Sequence, residues 1–282
     1  MYYNWYNKKK QLVLEIYIEK EYKIQYNTNN NVTALNKEAL NLIKIENVSK
    51  SYVKGKKSVD SLSLEIKDGE IFGFLGPNGA GKTTTIKMIT GILNADEGEL
   101  FIDDKNIKTE PIEAKKQFGY VPDNPDMFLK LKGIDYLNFI ADIYEMSEDE
   151  RKERIENLAK EFGIYENLGE MIQSYSHGMR QKIVVISVLM HNPKNWILDE
   201  PMTGLDPKAS FKLKELMKKH AQAGNSVFFS THILEVAEKM CDRVGIINKG
   251  KLIFVGTIKE LKEKFAEDGS LEQLFLEITE NE

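Results

Sequence analysis

Gly76-Pro77-Asn78-Gly79-Ala80-Gly81-Lys82-Thr83-Thr84 is the stretch of this sequence that decides the fold. It matches G-x-x-x-x-G-K-[ST], a loop that wraps backbone N–H groups around phosphate. Glycines lack the Cβ atoms that keep a backbone away from phosphate oxygens, so successive N–H groups can turn inward and form an anion site. Lys82 adds a charge for the β- and γ-phosphates, and the Thr83 hydroxyl suits Mg²⁺. All nine residues are therefore candidate contacts of a bound phosphate chain.

The flanking residues supply the context that this motif requires. Residues 70–75 read as a short buried strand, and Ile86, Ile89 and Leu93 after the loop recur at helical spacing. A helix that begins at the loop directs its dipole and its free N–H groups at the anion. Strand, loop and helix together predict a nucleoside triphosphatase that binds ATP with Mg²⁺.

Composition narrows the class of protein. The chain has 282 residues, of which 41% are hydrophobic and 29% charged, and its formal net charge is -5. Such a charge gives no global attraction to nucleic acid, so no nucleic-acid partner is expected. Cys241 is the only cysteine, which excludes an intrachain disulfide and fits a reducing cytosol. No stretch approaches the roughly 18 apolar residues of a membrane span, and no secretory apolar region is found near the N-terminus.

Residues 1–41 differ from the rest and are predicted to be a variable N-terminal extension. They are rich in Tyr, Asn and Lys, with one alternating apolar segment between Gln11 and Glu19 that suits a short strand. Three interpretations stay open. The segment is a loosely ordered extension, a start assigned too far upstream, or a membrane-surface contact through Trp5 and the lysines.

Residues 42–282 are predicted to form one α/β domain. Alternating apolar residues near positions 43–48 and 62–66 predict an N-terminal antiparallel β part. Residues 115–175 look mostly helical, with Ser147 and Glu150 as a capping box, and predict an inserted helical subdomain at approximately 123–190. Further strands and helices alternate after it, including a helix capped by Asp206 with Pro207 in its first turn. The domain ends with a hairpin and helices at approximately 244–282, the second of these helices opened by Ser270 with Gln273. The fold class is a P-loop core with a mixed, largely parallel sheet.

Several further motifs then occur in a fixed order. They comprise Tyr52, Gly119-Tyr120-Val121-Pro122-Asp123, Tyr175-Ser176-His177-Gly178-Met179, Trp196-Ile197-Leu198-Asp199-Glu200-Pro201, Thr203-Gly204-Leu205-Asp206 and Ser230-Thr231-His232. With the phosphate loop, this set resembles the ATPase subunit of an ATP-binding cassette (ABC) transporter, of the drug- or peptide-exporter type. The resemblance covers about residue 42 to the C-terminus.

The resemblance implies roles for the polar residues at predicted strand ends. Asp199 would hold Mg²⁺, mostly through water, because Mg²⁺ keeps much of its hydration shell. Glu200 would orient and deprotonate the attacking water. His232 matches the switch histidine that senses the γ-phosphate. The alternatives without function are that Asp199 and Glu200 are solvated acids before a proline turn, and that His232 is a polar residue at a strand end.

The signature segment departs from the family's usual Leu-Ser-Gly-Gly-Gln. Ser176 and Gly178 keep the positions whose hydroxyl and N–H bind a γ-phosphate, next to a helix predicted from Arg180. Tyr175, His177 and Met179 replace the other three. Read alone, the segment is only a helix N-cap.

Two more residues carry roles by resemblance. Tyr52 lies where the family places an aromatic ring that stacks on adenine, the alternative being a surface tyrosine. Asp123 stands where the family commonly has glutamine, in the loop that links the core to the helical subdomain. A carboxylate is acceptor-only, but it can still hold Mg²⁺ or its water.

The resemblance also implies partners. Phosphate loop and signature serve one nucleotide only across a head-to-tail pair, so a second ATPase subunit is expected, either a second copy or a related chain. A separate integral-membrane permease is expected to contact residues 125–144, which makes the chain cytoplasmic and peripheral at the cell membrane. Two alternatives stay open: a soluble ABC ATPase that acts on nucleic acid or the ribosome, and a non-hydrolysing module that dimerises on ATP. The transported substrate is not encoded here.

Overall fold

The computed structural model describes residues 41–265. The extension predicted before residue 41, its possible strand at 11–19, and the second of the two C-terminal helices, predicted at 270–273, lie outside these residues. Within 41–265, no helix is both long enough and apolar enough to cross a membrane.

The strands of the described residues form two sheets. In chain order they are β1 (Asn41–Val53), β2 (Lys56–Lys67), β3 (Ile71–Leu75), β4 (Glu97–Ile102), β5 (Lys105–Asn106), β6 (Phe118–Val121), β7 (Asn195–Leu198), β8 (Ser226–Thr231), β9 (Arg243–Asn248) and β10 (Lys251–Gly256). An antiparallel sheet has the order β2-β1-β4-β5, and the larger sheet has the order β10-β9-β3-β8-β7-β6.

The described residues also contain eight α-helices. They are α1 (Lys82–Ile89), α2 (Pro111–Lys115), α3 (Gly133–Ile143), α4 (Glu148–Phe162), α5 (His177–Leu189), α6 (Pro207–Gln222), α7 (Leu234–Met240) and α8 (Ile258–Phe265), with 3₁₀ turns at Tyr165–Asn167 and Ile172–Ser174.

The larger sheet is parallel except at one edge. Strands β9, β3, β8, β7 and β6 pair in parallel, and only β10 returns antiparallel to β9. All five residues of β3 are buried, as are all those of β7 and β8, because helices cover both faces. The predicted fold class is confirmed: an α/β core with a mixed, largely parallel sheet and an antiparallel N-terminal part.

Local signals set many helix boundaries as predicted. The Ser147 hydroxyl caps α4 by accepting from Glu150 N at 3.3 Å. The Asp206 carboxylate caps α6 by accepting from Ala209 N at 2.9 Å, and Pro207 occupies its first turn. Gly163 follows α4 with a φ of 69°, a left-handed stop that glycine adopts at little cost.

Three boundary predictions were wrong. Helix α1 ends at Ile89, so Leu93 lies beyond it, since the Thr90 hydroxyl bonds Ile86 O and the left-handed Gly91 ends the helix. Residues 118–121 are not part of a mostly helical block, because they form β6 at the edge of the core sheet. Helix α5 begins at His177 rather than at Arg180, since Ser176 caps it.

Candidate functional site

The phosphate loop lies at the C-terminal end of β3 and leads into α1. Close approaches explain two of its glycines. A Cβ on Gly76 would lie 2.4 Å from Ile247 O, and Gly81 has a φ of 115° with Ser58 O 2.7 Å from where its Cβ would be. Backbone from β2 and β9 therefore packs directly against the loop and leaves room for no side chain.

The β9–β10 turn supports the same loop from behind. Gly250 N donates to Ala80 O at 2.8 Å, and Asp60 N donates to Gly250 O at 2.9 Å. This turn thus joins the loop to the antiparallel sheet, and its role was not predicted from the sequence. The Asn248-Lys249-Gly250 pattern indicated a hairpin but not what the hairpin would touch.

Lys82 begins α1 with its ammonium group drawn back under the loop. Its side chain is buried, and Nζ donates to Gly76 O at 2.7 Å. The same atom lies 3.5 Å from Glu200 Oε1. The structure therefore brings together the predicted lysine and the predicted glutamate, which are far apart in sequence.

Glu200 connects Lys82 to the predicted histidine. His232 Nδ1 lies 3.0 Å from Glu200 Oε2, and the imidazole is half exposed. Glu200 follows β7 with a φ of 48°, which is uncommon for a residue with a side chain and clusters at functional sites. Its N–H donates to the Ser230 hydroxyl at 2.9 Å, which fixes this turn of the backbone.

Asp199 lies at the base of the site with no solvent exposure. The Ser230 hydroxyl donates to Oδ1 at 2.5 Å, whereas Oδ2 is buried with no hydrogen-bond partner among the described residues. Burial raises the pKa of this carboxyl, and the Ser230 hydroxyl opposes that rise, together with the Thr83 hydroxyl, which lies nearby without making a hydrogen bond of good geometry. The open oxygen and the costly negative charge both suit a bound cation.

The oxygen ligands fit Mg²⁺ held with nucleotide phosphates. Among residues 41–265, no group of three or more His, Cys, Asp or Glu side chains could hold a metal alone. Mg²⁺ is typically held by one or two carboxylates together with substrate phosphates and waters. Asp199 offers one carboxylate beside Thr83, and Asp123 follows the adjacent strand β6 as an exposed carboxylate. Acidic and hydroxyl groups therefore gather at one sheet edge.

Tyr52 lies beside the phosphate loop, on β1. Its hydroxyl is 3.4 Å from Thr84 Oγ1, and 60% of its surface is exposed. An exposed ring at the border of an anion site is available to stack on a planar base.

The signature segment does not join this cluster within one chain. Ser176 is exposed, and its hydroxyl caps α5 by accepting from Met179 N at 3.3 Å. A Cβ on Gly178 would lie 2.6 Å from Gly204 O, so the helix packs on the 203–206 loop. Among the hydrogen bonds of residues 41–265, none connects Ser176 or Gly178 to the phosphate loop.

Similarity to known proteins agrees with this geometry. The family model described as ABC transporter matches residues 59–203. YhcH of Bacillus subtilis, an uncharacterized ABC transporter ATP-binding protein, is 38% identical over 78% of this chain and 71% of its own length. The B. subtilis linearmycin resistance ATP-binding protein LnrL is 36% identical over 80% and 73%. The Escherichia coli K12 lipopolysaccharide export system ATP-binding protein LptB is 36% identical over 77% and 90%.

Solved structures give the same result. An ATP-binding subunit of an ABC transporter superimposes with a TM-score of 0.79 at 31% identity, covering 84% of this chain and 99% of that one. The ATP-binding cassette MJ0796, in a dimeric post-hydrolysis state bound to ADP and Pi, has a TM-score of 0.70 at 25% identity over 77% and 98%. An ABC ATPase domain binds ATP, and the chain belongs to the ABC transporter family as an ATP-binding subunit.

Proposed function

We propose that this chain hydrolyses ATP with Mg²⁺ and thereby drives export through a separate membrane permease. The cluster of Lys82, Glu200 and His232 carries the proposal. It places a cation, a carboxylate and an imidazole beside the phosphate loop, where the γ-phosphate of a bound ATP would lie. Phosphoryl transfer needs mainly positioning and charge stabilisation, and these three groups supply both.

Glu200 acts as the general base in this proposal. Its position at a strand end, fixed through Ser230, directs the carboxylate toward the loop, where it orients and deprotonates the attacking water. His232 holds one oxygen of that carboxylate and senses the γ-phosphate. When ATP binds, the Lys82 ammonium group exchanges its ion pair with Glu200 for contacts with the phosphate oxygens.

Thr83, Asp199 and, from the neighbouring strand, Asp123 would hold Mg²⁺. When bound, the ion neutralises charge on the β- and γ-phosphate oxygens. Asp199 Oδ2, buried and without a partner in the described part of the chain, would bind the ion or one of its waters. Tyr52 stacks on the adenine, and this contact requires a planar base without distinguishing one base from another.

The second half of each nucleotide site comes from another ATPase subunit. Ser176 and Gly178 lie at the exposed start of α5, with the free N–H groups of a helix N-terminus. The similar cassette MJ0796 has been solved as a dimer, which supports head-to-tail pairing here. ATP favours the closed pair because it contacts both chains, and hydrolysis releases it.

The permease docks on residues 125–144, in the helical subdomain proposed at 123–190 of the 42–282 domain. Phe128 is 46% exposed there, and its ring lies 5.2 Å from that of Tyr136 and 5.8 Å from that of Phe139. An exposed aromatic group of this kind suits a protein contact. The chain then works as a cytoplasmic, peripheral subunit. The names of LnrL, a resistance protein, and LptB, an export protein, support export.

The variant Glu200→Gln tests hydrolysis directly. The amide keeps the shape of the side chain but cannot accept a proton, so turnover is expected to fall by at least about 100-fold while ATP still binds. Light scattering should then show an ATP-bound dimer that accumulates. From detergent-solubilised native membranes, the trapped variant should copurify with a polytopic membrane protein.

The matched control is Glu153→Gln, on an exposed position of α4, which should turn over like the wild type. If wild-type turnover is already no faster than that of Glu200→Gln, the chain is a non-hydrolysing dimerisation module. Copurification with ribosomal or DNA-repair proteins instead of a membrane protein would leave the ATPase and refute the transporter.

A further inference from the structure

Two buried polar atoms near the predicted metal ligands lack a hydrogen-bond partner among the described residues. They are Asp199 Oδ2 and the phenolic oxygen of Tyr120. Buried polar atoms in native proteins nearly always have a protein or water partner, so each of these two oxygens can accept a hydrogen bond from a water or a ligand. Asp199 belongs to the proposed metal site, but Tyr120 has no role there so far.

The sheet register places both side chains on one face. Strands β6 and β7 pair in parallel with Tyr120 opposite Ile197, and Asp199 lies two residues after Ile197. Side chains two residues apart on extended backbone point the same way, so Tyr120 and Asp199 share a face. Tyr120 also packs against the apolar cluster that contains Ile86 and Ile197, which is the face covered by α1. Helix α1 carries Thr83 in its first turn.

The Tyr120 phenol is neutral at pH 7, because the ordinary pKa of tyrosine is near 10. Burial, and then the charges of Asp199 and Asp123, raise the pKa of Tyr120 well above its usual range. Both carboxylates are thus near enough to act on the phenol. Tyr120 is a neutral hydroxyl among acidic groups, with an oxygen that can accept a hydrogen bond.

We propose that Tyr120 is a positioning residue that holds a water ligand of the bound Mg²⁺ together with Asp199. A water bound to a cation has two hydrogens to donate, and the two open acceptors here are Asp199 Oδ2 and the Tyr120 oxygen. Groups that orient metal ligands from outside the coordination shell tune the affinity of a metal site. This inference rests on the proposed Mg²⁺-dependent function, and it gives the tyrosine of the 119–123 segment a role.

The variant Tyr120→Phe tests the role, with Mn²⁺ as a paramagnetic substitute for Mg²⁺. Electron paramagnetic resonance titration of Mn²⁺ into the ADP complex should show about 10-fold weaker metal binding. Affinity for ADP in the presence of a chelator should not change. The unfolding temperature of the nucleotide-free protein should stay the same or rise, because the phenol makes no hydrogen bond with the described residues and an unpaired buried hydroxyl is removed.

The control variant is Tyr144→Phe, which removes the hydroxyl of a partly buried tyrosine whose ring stacks on His191. It should leave Mn²⁺ affinity unchanged. If wild type binds Mn²⁺ with ADP and Tyr120→Phe binds it equally well, within about twofold, only the role of Tyr120 is refuted. A fall in unfolding temperature without a change in metal affinity would make Tyr120 a structural residue. Failure of the wild type to bind Mn²⁺ with ADP would refute both the proposed function and this inference.

Discussion

The phosphate loop and the signature segment (residues 175–179) are held in opposite ways. Backbone of β2, β9 and the β9–β10 turn packs behind the phosphate loop, and its lysine is buried. In the signature segment Ser176 is exposed, and its hydroxyl bonds only the first turn of its own helix. Backbone from distant strands therefore encloses the phosphate loop, whereas the signature segment packs on Gly204 through Gly178 but leaves the Ser176 hydroxyl exposed.

This difference separates two tasks. A loop fixed from behind binds phosphate without being reordered, which is how preorganisation preserves affinity. An exposed helix start presents its N–H groups outward, where only a ligand brought by another surface can reach them. Changes in the phosphate loop should therefore act on nucleotide binding by a single chain, whereas changes in the signature should act on association.

The largest expected effect is that of Gly76→Ala. The new Cβ would lie 2.4 Å from Ile247 O, which is backbone and cannot step aside. The loop must shift by several tenths of an ångström, so its N–H groups no longer converge on the phosphates. We expect ADP affinity of the single chain to fall about 100-fold, which isothermal titration calorimetry can measure.

The matched substitution is Gly169→Ala, whose Cβ would meet no atom within 4 Å. It should leave ADP affinity unchanged. If folded Gly76→Ala protein bound ADP with unaltered affinity, the packing of β2 and β9 against the phosphate loop would not determine phosphate binding. The proposed difference between the phosphate loop and the signature segment would then be refuted.

A smaller effect is expected for Ser176→Ala. ADP binding by the single chain should not change, because no described hydrogen bond links this hydroxyl to the phosphate loop. ATP-driven association, measured by sedimentation velocity in the Glu200→Gln background, should weaken about 10-fold. The reason is that the variant loses one hydrogen bond to a charged phosphate.

Ser147→Ala is an unusually close control. Its hydroxyl also caps a helix, with the same 3.3 Å distance to the N–H that it accepts from. Both variants should lose about 1 kcal/mol of folding stability as lost caps, but only Ser176→Ala should lose association. Equal association by the two variants would reduce the role of Ser176 to capping.

Short-range patterns in the sequence predicted much of this structure. The phosphate loop, the caps at Ser147 and Asp206, and the hairpin at 244–255 each depend on neighbouring residues, so a local pattern suffices. Strand β6 was missed because four residues, one of them glycine, give too short a run to display a period. Its pairing with β7 stabilises it instead.

Local sequence patterns could not predict the long-range contacts of the site. Ser230 donates to Asp199 and accepts from the Glu200 N–H, although thirty or more residues separate it from either. The sequence placed His232 at a strand end but gave no sign that Ser230, two residues earlier, joins the two carboxylate residues. Gly250 is a similar case, since only the folded sheet brings it behind Ala80.

The smallest expected effect is a loss of stability in acid, which tests whether the phosphate loop and the signature segment unfold separately. His191 follows α5 and stacks on Tyr144 with the ring centroids 3.6 Å apart; burial, and then Arg154, lower its pKa to about 4. Since the folded pKa is depressed, this stabilisation is full above about pH 6.5 and is lost as the pH falls toward 4. In urea unfolding, His191→Phe, which keeps a stacked ring, should remove about 1 kcal/mol of the stability lost between pH 7 and pH 5.5. Burial also lowers the pKa of His220 to about 4, so a similar further loss should remain in this variant.

Hydrogen exchange, corrected for its intrinsic pH dependence, should locate the loss that depends on His191 in residues 177–191 before residues 71–89, because His191 packs at the end of the signature helix. The exposed His177, changed to glutamine, should leave the acid sensitivity in place. Simultaneous loosening of the phosphate loop would show that the two regions unfold as one unit. In that case the different ways in which they are held affect binding only, and not stability.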